Sequence, residues 1–322
     1  MQGYSAANFP EGIPLEKTQN LFRSMAFNWQ TFRTRTLTAA VFVLVMLTGL
    51  LWNHWSFLVL FSVIHFGCWW EYLRLMERIH TTSLHIYTKL GFMLLGYGLM
   101  LWFCGPMYQI AGYGLKENFS LPVSVAGFIL LITGMFQKMQ VGLNSFGGTA
   151  LGLLYISLSW GLMMDLYSNI DFNNPVLRTD GDEIYILLLP LFIIGCMWIN
   201  DTMAYIVGSI IGKTPLSKIS PKKTWEGTIG GIILSSLIMG YIAFTFDEWF
   251  VFGQSFSSWA ILAMIASITG TFGDLLESKL KRMGDVKDSG HIMPGHGGFL
   301  DRFDSLLIAT PFVWLYVNFI MS

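Results

Sequence analysis

The sequence concentrates its ionisable residues in one stretch near its end, residues 278–304, which reads SKLKRMGDVKDSGHIMPGHGGFLDRFD. Only 12% of the 322 residues are charged, and long apolar segments flank this stretch on both sides. Charges held between apolar segments cost free energy unless they are paired or bind a charged group. The stretch is therefore predicted to bind a nucleoside triphosphate, a metal ion and a lipid phosphate.

Glycines and basic residues in this stretch favour phosphate binding. Glycine allows backbone conformations in which successive N–H groups point at one anion, and Gly297 and Gly298 are adjacent. His291 and His296 could suggest zinc, but no thiolate or third histidine accompanies them, so a hydrogen bond from His296 to a phosphate is the preferred interpretation. Positive charge for a polyphosphate would come from Lys281, Arg282, Lys287 and Arg302.

Two carboxylates stand where the last apolar segment begins. Asp301 and Asp304 are three residues apart, and the dipole at a helix start keeps such groups ionised, which suits metal binding. Asp301 could instead cap the helix N-terminus, a position at which aspartate is strongly preferred. Both interpretations of Asp301 remain open from these residues.

Two further carboxylates, Asp201 and Asp274, occur within apolar segments. Such carboxylates usually face a functional interior, and two at one depth on different helices predict a site for Mg²⁺. Ion pairs are the alternative: Asp274 shares a helix face with Lys281, and Asp201 could pair with a nearby lysine. Asp201 also shares a face with Gly208 and Gly212, whose spacing suits close helix packing.

A second basic cluster follows the sixth apolar segment, in the sequence Ser220-Pro221-Lys222-Lys223-Thr224-Trp225-Glu226-Gly227. Ser220 as N-cap and Pro221 as first helical residue would start the next helix. The free N–H groups of that helix start, beside Lys222 and Lys223, would attract an anion. Lysines bound to anionic lipid headgroups are the alternative.

The elements that must position these groups are membrane helices. The chain is 53% hydrophobic with a mean hydropathy of +0.55, and its apolar blocks reach the roughly 20 residues that cross a bilayer core. This pattern predicts an all-α polytopic membrane protein and lacks the alternation of a membrane barrel. Nine helices are expected at about 37–53, 55–73, 88–105, 121–137, 146–166, 184–211, 227–246, 257–280 and 303–321.

Basic residues set the predicted orientation. If nine helices alternate from a cytosolic N-terminus to a C-terminus outside, all of the 19 lysines and arginines except Lys116 and Arg178 fall on the cytosolic side. This is the bias of the positive-inside rule. The chain then divides into a cytosolic or interfacial tail (1–36), a transmembrane scaffold (37–183) and a catalytic transmembrane domain (184–322). Its three cysteines lack the spacing of a metal or redox site.

The stretch 278–304 resembles the C-terminal signature of the phosphatidate cytidylyltransferase (CDP-diacylglycerol synthase) family. The matching residues are Ser278, Lys281-Arg282, Lys287-Asp288, Pro294, His296-Gly297-Gly298 and Asp301-Arg302-Phe303-Asp304. Asn200-Asp201, Gly212-Lys213 and residues 220–227 are also similar to the family, so the resemblance covers about the last 125 residues. Met293 is a minor departure, and the first half matches only in being hydrophobic and multi-spanning.

The resemblance implies the reaction CTP + phosphatidic acid → CDP-diacylglycerol + diphosphate, with Mg²⁺ and a second cation such as K⁺. The expected setting is the cell membrane with the site on the cytosolic face, with membrane lipids and a second copy of the chain as partners and no nucleic acid. The predicted catalytic residues are Lys281, Asp288, Ser278 and Asp201. The predicted metal ligands are Asp274, Asp301 and Asp304. The residues predicted to bind CTP and lipid phosphate are Lys222, Lys223, Arg282, Lys287, His296, Gly297, Gly298 and Arg302.

Two other functions remain open. A CTP-dependent lipid kinase of the polyprenol-kinase type would use similar chemistry on a lipid alcohol, with Asp201 or Asp274 as the base. A transporter or lipid-binding protein would explain these two aspartates but not the charged, glycine-rich stretch. Cytidylyl transfer is preferred because the phosphate of phosphatidic acid is already an anionic nucleophile, so that no strong catalytic base is needed.

Overall fold

The computed structural model describes residues 29–137, 142–168, 188–246, 254–290 and 297–321. Short π-helical turns extend the fourth helix at its start (Leu115–Phe119), interrupt the fifth (Leu153–Leu158) and extend the ninth at its end (Val317–Met321). A hairpin of β1 (Gln109–Ile110) and β2 (Tyr113–Gly114) connects the third helix to the fourth. The described residues form nine helices: α1 (Trp29–Leu51), α2 (His54–Ile79), α3 (Ile86–Trp102), α4 (Ser120–Gln137), α5 (Leu143–Ser168), α6 (Leu188–Ile211), α7 (Trp225–Thr245), α8 (Phe256–Met283) and α9 (Leu300–Tyr316).

Seven of these described helices are long and apolar enough to cross a membrane, whereas α3 and the apolar part of α1, Thr36–Leu51, are shorter. The predicted class, a helical multi-pass membrane protein, is thereby confirmed. Each of the nine predicted segments coincides with one helix, whereas nine crossings, the direction of the termini and the domain boundaries stay predictions. Of the predicted tail (1–36), residues 1–28 lie outside the described residues, and α1 begins at Trp29.

The short break between α1 and α2 is made by reciprocal capping. Asn53 Oδ1 accepts a hydrogen bond from the Ser56 N–H at 2.8 Å, and Ser56 Oγ accepts one from the Asn53 N–H at 3.0 Å. Such a capping box satisfies two N–H groups that would otherwise lack a partner at the helix start. One polar residue and its partner thus suffice to separate two apolar helices.

The first half of the chain packs around α2 through aromatic side chains. Trp69 stacks on Phe92 of α3 with ring centroids 6.0 Å apart, and Phe57 stacks on Tyr167 of α5 at 4.0 Å. These rings bury large apolar areas and fix the helices against one another. The cysteines are buried and free, as the sequence predicts: Cys68, Cys104 and Cys196.

Glycines let the helices of the second half approach to backbone contact. A Cβ added at Gly208 would lie 3.4 Å from the Cα of Gly227, so α6 and α7 cross at the predicted glycine pair. A Cβ at Gly273 would collide with the backbone oxygen of Asp304, so α8 and α9 also meet closely. Helix α9 in turn packs against α5 and α2, and this joins the two halves of the chain.

Replacing Gly273 by Ala should destabilise the protein, because the new methyl group meets the backbone of α9 and overpacking of this kind costs about 1–3 kcal/mol. The matched control is Gly147→Ala in α5, where an added Cβ meets nothing within 4 Å. Alanine is the better helix former by roughly 1 kcal/mol, so the control should be neutral or stabilising. Thermal unfolding in detergent measures both, and equal midpoints for the two variants would contradict the prediction.

The predicted start of α7 at Pro221, with Ser220 as its N-cap, is wrong. The helix begins at Trp225, and Thr224 is its N-cap, with Thr224 Oγ1 accepting from the Gly227 N–H at 3.2 Å. The helix start at which an anion site was predicted therefore lies a few residues further along the chain, and anion binding there stays a prediction.

Backbone hydrogen bonds across the α6–α7 loop explain the later start. The Leu216 N–H donates to the Lys223 carbonyl at 2.7 Å, and the Trp225 N–H donates to the Thr214 carbonyl at 2.9 Å. These bonds hold the end of the loop extended against its beginning. Because a backbone paired in this way cannot also be helical, α7 cannot start before the loop closes.

Candidate active site

A cavity of about 380 Å³ opens between α1, α6, α8 and α9. One carboxylate comes from α6, one from α8 and two from the start of α9. The predicted convergence of carboxylates from different helices is therefore observed, whereas their individual roles stay predictions. The four carboxylates in the lining are Asp201, Asp274, Asp301 and Asp304.

The other wall of the cavity is apolar. It is formed by one face of α1, with Phe42, Val43 and Met46, and by Met197 and Trp198 of α6. The cavity thus places carboxylates beside a surface that would accept hydrocarbon. Such a combination suits a ligand with a charged end and an apolar end.

Lys223, in the α6–α7 loop, forms an ion pair with Asp274. Its Nζ lies 2.7 Å from Asp274 Oδ2, and both side chains are half-buried. Burial alone would lower the pKa of Lys223, but the carboxylate of Asp274 outweighs burial and raises the pKa above that of a free lysine. The alternative pairing of Asp274 with Lys281 is therefore wrong, and Lys223 carries a full positive charge into the cavity region.

Asp304 is the most deeply buried carboxylate of the cavity, with 7% of its surface exposed. Its Oδ1 accepts a hydrogen bond from the Ser305 N–H at 2.6 Å. It also interacts electrostatically with Asp274 and Lys223, across the close α8–α9 contact at Gly273. Two carboxylates from adjacent helices thus share one region with Lys223, and Lys281 also interacts electrostatically with Asp304.

Lys281, near the end of α8, is shared by two carboxylates. Its Nζ lies 2.5 Å from Glu277 Oε2 and 2.7 Å from Asp301 Oδ1. The side chain of Glu277 is fully buried and that of Lys281 is 14% exposed. A buried charge is tolerated only when paired, so this triad fixes the Lys281 side chain between α8 and α9.

Asp301 accepts hydrogen bonds from several directions. Besides the bond from Lys281 to Oδ1, its Oδ2 accepts from the Ser289 N–H at 2.9 Å, Ser289 Oγ at 2.9 Å and the Gly298 N–H at 2.8 Å. The N-cap position of α9 is Phe299, so the alternative of Asp301 as N-cap is wrong. The carboxylate instead holds the α8–α9 loop onto the first turn of α9.

Glu71 of α2 belongs to this site, although it was not among the residues predicted from the sequence. It is 2% exposed, and it accepts hydrogen bonds from the Phe299 N–H at 2.9 Å, the Leu300 N–H at 2.8 Å and Ser289 Oγ at 2.7 Å. The available signal was a lone carboxylate in the apolar segment HFGCWWEYL, since such groups are usually functional.

The N–H groups around Gly298 therefore point at protein carboxylates. Glycine N–H groups were predicted to converge on a bound anion, and in the described part of the loop they converge on Glu71 and Asp301. A Cβ at Gly298 or Gly290 would collide with the Glu71 carboxylate, and Gly297 has φ +83°. Glycine is required here because the backbone closes around two internal anions.

Comparison with known proteins identifies the family of the chain. A model described as "Cytidylyltransferase family" matches residues 33–320, nearly the whole chain. The chain belongs to this family.

Several relatives of this cytidylyltransferase-family chain are named phosphatidate cytidylyltransferase. The phosphatidate cytidylyltransferase of Staphylococcus saprophyticus is 30% identical over 285 residues, which cover 87% of this chain and 96% of that protein. The phosphatidate cytidylyltransferase of Bacillus subtilis is 30% identical over 287 residues, 88% of this chain and 96% of that protein. The phosphatidate cytidylyltransferase of Synechocystis sp. is 41% identical over 135 residues, 41% of this chain and 43% of that protein.

The remaining predicted residues of this cytidylyltransferase-family chain lie on α8, on α9 or on the two loops, where the structure describes them. Ser278 is half-buried on α8. Arg302 is exposed and lines the cavity. His296 lies outside the described residues. The other predicted groups are exposed on the two loops or at the end of α8, and their roles stay predictions: Lys222, Arg282, Lys287 and Asp288.

The carboxylates of the cavity fit a hard cation in their chemistry. Mg²⁺ prefers oxygen ligands and commonly takes one or two carboxylates together with substrate phosphates. Asp274 and Asp304 offer such ligands from adjacent helices. Among the residues that the structure describes, no three His, Cys, Asp or Glu side chains are grouped closely enough to hold an ion by themselves. The chain thus offers part of a coordination sphere that phosphate oxygens would complete.

Proposed function

We propose that this protein is a phosphatidate cytidylyltransferase, which converts CTP and phosphatidic acid to CDP-diacylglycerol and diphosphate. Membership of the cytidylyltransferase family and the names of relatives aligned over most of the chain support this. The observation that carries the proposal is the cavity in which four carboxylates from three helices face an apolar wall. A charged nucleotide and the phosphate of a lipid can meet there.

The reaction requires charge neutralisation rather than a strong base. The phosphate of phosphatidic acid attacks the α-phosphorus of CTP, a new P–O bond forms, and diphosphate leaves with the electrons of the broken P–O bond. Both reactants are anions, so positive groups must hold them in line and stabilise the charge of the transition state. Arg302 provides such a group in the cavity lining, and Lys223 and Lys281 provide them through their ion pairs with the lining residues Asp274 and Asp301. Lys222, Arg282 and Lys287 are exposed and would add positive charge for the phosphates.

Mg²⁺ would be held by Asp274 and Asp304, with Asp201 at the edge of the cavity. When bound, the ion would neutralise the triphosphate and orient the leaving diphosphate. Asp301 has a different role in this proposal from the metal ligation that the sequence suggested. Since its oxygens accept hydrogen bonds from Lys281, Ser289 and Gly298, it positions Lys281 and the loop. The second cation, K⁺, stays a prediction.

The two walls of the cavity support the proposed orientation of the protein in the membrane. Its apolar wall on α1 would keep the acyl chains in the bilayer, while the α6–α7 and α8–α9 loops, which carry most of the nearby lysines, would face the cytosol, where CTP is present. The homodimer implied by the resemblance stays a prediction.

Product analysis tests the proposed function. Membranes that contain the protein, supplied with Mg²⁺, phosphatidic acid and CTP labelled in the cytosine ring, should form a labelled lipid and release diphosphate. The matched control replaces phosphatidic acid with a polyprenol or diacylglycerol, which offers an alcohol instead of a phosphate. Release of CDP with the alcohol, without labelled lipid from phosphatidic acid, would identify a lipid kinase and contradict the proposal.

A further inference from the structure

We infer that Glu71 is a positioning residue for the transfer reaction, acting from the first half of the chain through Ser289 and Asp301 on Lys281. This inference rests on the proposed function, and it adds a residue that lies far outside the C-terminal signature. Glu71 is not placed in the cavity lining. Its contacts lead there in three steps.

The first step joins Glu71 to the start of α9. Its two oxygens accept from the N–H groups of Phe299 and Leu300 at 2.9 and 2.8 Å. A carboxylate at a helix N-terminus satisfies N–H groups that have no partner within the helix and is favoured by the helix dipole. Here the capping residue comes from another helix, so Glu71 sets where α9 begins relative to α2. Arg302 and Asp304 follow within the next turn.

The second step runs through Ser289. Its Oγ lies 2.7 Å from Glu71 Oε2 and 2.9 Å from Asp301 Oδ2, so one hydroxyl bridges two carboxylates. A hydroxyl has one proton to donate, and this proton is shared within the bridge. Because both carboxylates use the same hydroxyl, a shift of Glu71 shifts the position of Asp301.

The third step reaches the cavity. Asp301 Oδ1 holds Lys281 Nζ at 2.7 Å, and Asp301 itself lines the cavity. Lys281 is one of the positive groups available to the phosphates. A displacement of about 1 Å at such a group can cost about 100-fold in rate, so a buried carboxylate that fixes its position has a direct effect on turnover.

Glu71→Gln tests this role with little change of shape. The amide retains one oxygen, so one of the two N–H groups at the start of α9 faces an NH₂ donor in either orientation. We expect kcat to fall about tenfold or more while KM for CTP changes by less than about threefold, since alignment rather than uniform binding is lost. Hydrogen exchange of the amides in residues 297–304 should become faster in the same variant.

Glu77→Gln is the matched control on the same helix. Glu77 also accepts a backbone N–H, from Leu84 at 2.7 Å, and pairs with Lys89 at 2.8 Å, so in the described part of the chain these side-chain partners lie at α3 and not on α9. The control should retain kcat within about twofold of the wild type and leave the exchange of residues 297–304 unchanged. If Glu71 had only a structural role, the loss of either carboxylate would lower kcat to a similar extent in the two variants.

Ser289→Ala removes the hydroxyl that bridges the two carboxylates and leaves the cap that Glu71 forms on α9 intact. It also provides a second test if the Glu71→Gln protein does not accumulate. It should lower kcat by about threefold to tenfold, and in combination with Glu71→Gln it should add little, because residues in one hydrogen-bond network are not additive. Wild-type kcat in both single variants, or fully additive effects, would overturn the inference. If the wild-type protein forms no CDP-diacylglycerol, the proposed function fails instead.

Discussion

Asp304→Asn should reduce CDP-diacylglycerol synthesis by about 10³-fold, the scale of losing one preorganised electrostatic group at a transition state. Asp304 is the buried carboxylate nearest the α8–α9 contact, and its charge is proposed to hold the cation that neutralises the triphosphate. The amide oxygen of asparagine can still accept from the Ser305 N–H, so the fold should be retained. Initial rates with CTP and phosphatidic acid in mixed micelles measure the effect.

The control for Asp304→Asn is Asp165→Asn on α5. Asp165 Oδ2 accepts a hydrogen bond from Trp314 Nε1 of α9 at 2.5 Å, so it is a carboxylate at a contact between two helices. It lies outside the cavity lining, and its variant should retain activity within about threefold of the wild type. Turnover by Asp304→Asn within tenfold of the wild type would contradict the proposed metal role.

Lys281→Met should lower both stability and activity. Removing the lysine leaves the fully buried Glu277 and the nearly buried Asp301 without their cation. Breaking a buried pair from one side typically costs about 3–5 kcal/mol, because an uncompensated charge remains. Thermal unfolding in detergent should show a clearly lower midpoint, and the rate of cytidylyl transfer should fall with it.

A double variant separates these two effects of Lys281. Lys281→Met combined with Glu277→Gln removes the fully buried one of the two charges that the single variant leaves without a cation, so much of the lost stability should return. Activity should not return, because the positive group proposed to face the phosphates is still missing. Recovery of the wild-type rate in the folded double variant would show that Lys281 is only structural.

The helices and the meeting of the carboxylates could be predicted from the sequence for one reason. A bilayer accepts only segments of sufficient length and apolarity, so the nine apolar blocks mark the helices to within a few residues. The bilayer also makes a carboxylate within an apolar segment costly in free energy, and therefore Asp201 and Asp274 stand out from their neighbours in the sequence. The charge-rich stretch 278–304 contains the remaining carboxylates of the cavity, and so it indicated the other side of the site.

The pairing of charges could not be predicted, because it depends on loop geometry and on contacts distant in sequence. Lys281 was the candidate partner for Asp274, but the closure of the α6–α7 loop brings Lys223 to it instead. The position of Asp301 was compatible with metal binding and with N-capping, and only the N-cap role is excluded by the cap that Glu71 supplies from another helix. The spacing of residues around Asp301 contains no information about the position of α2, the helix that carries Glu71.

The contact between Glu71 and α9 has a consequence for biosynthesis. Its three hydrogen-bond partners lie 218, 228 and 229 residues later in the chain. During synthesis α2 is therefore complete long before the Glu71 carboxylate can accept these hydrogen bonds. Contacts between residues so far apart in the sequence form late in folding. A nascent chain that stops before Phe299 leaves the buried carboxylate of Glu71 without its two N–H donors at the start of α9. Helix α9 thus completes both the fold and the site.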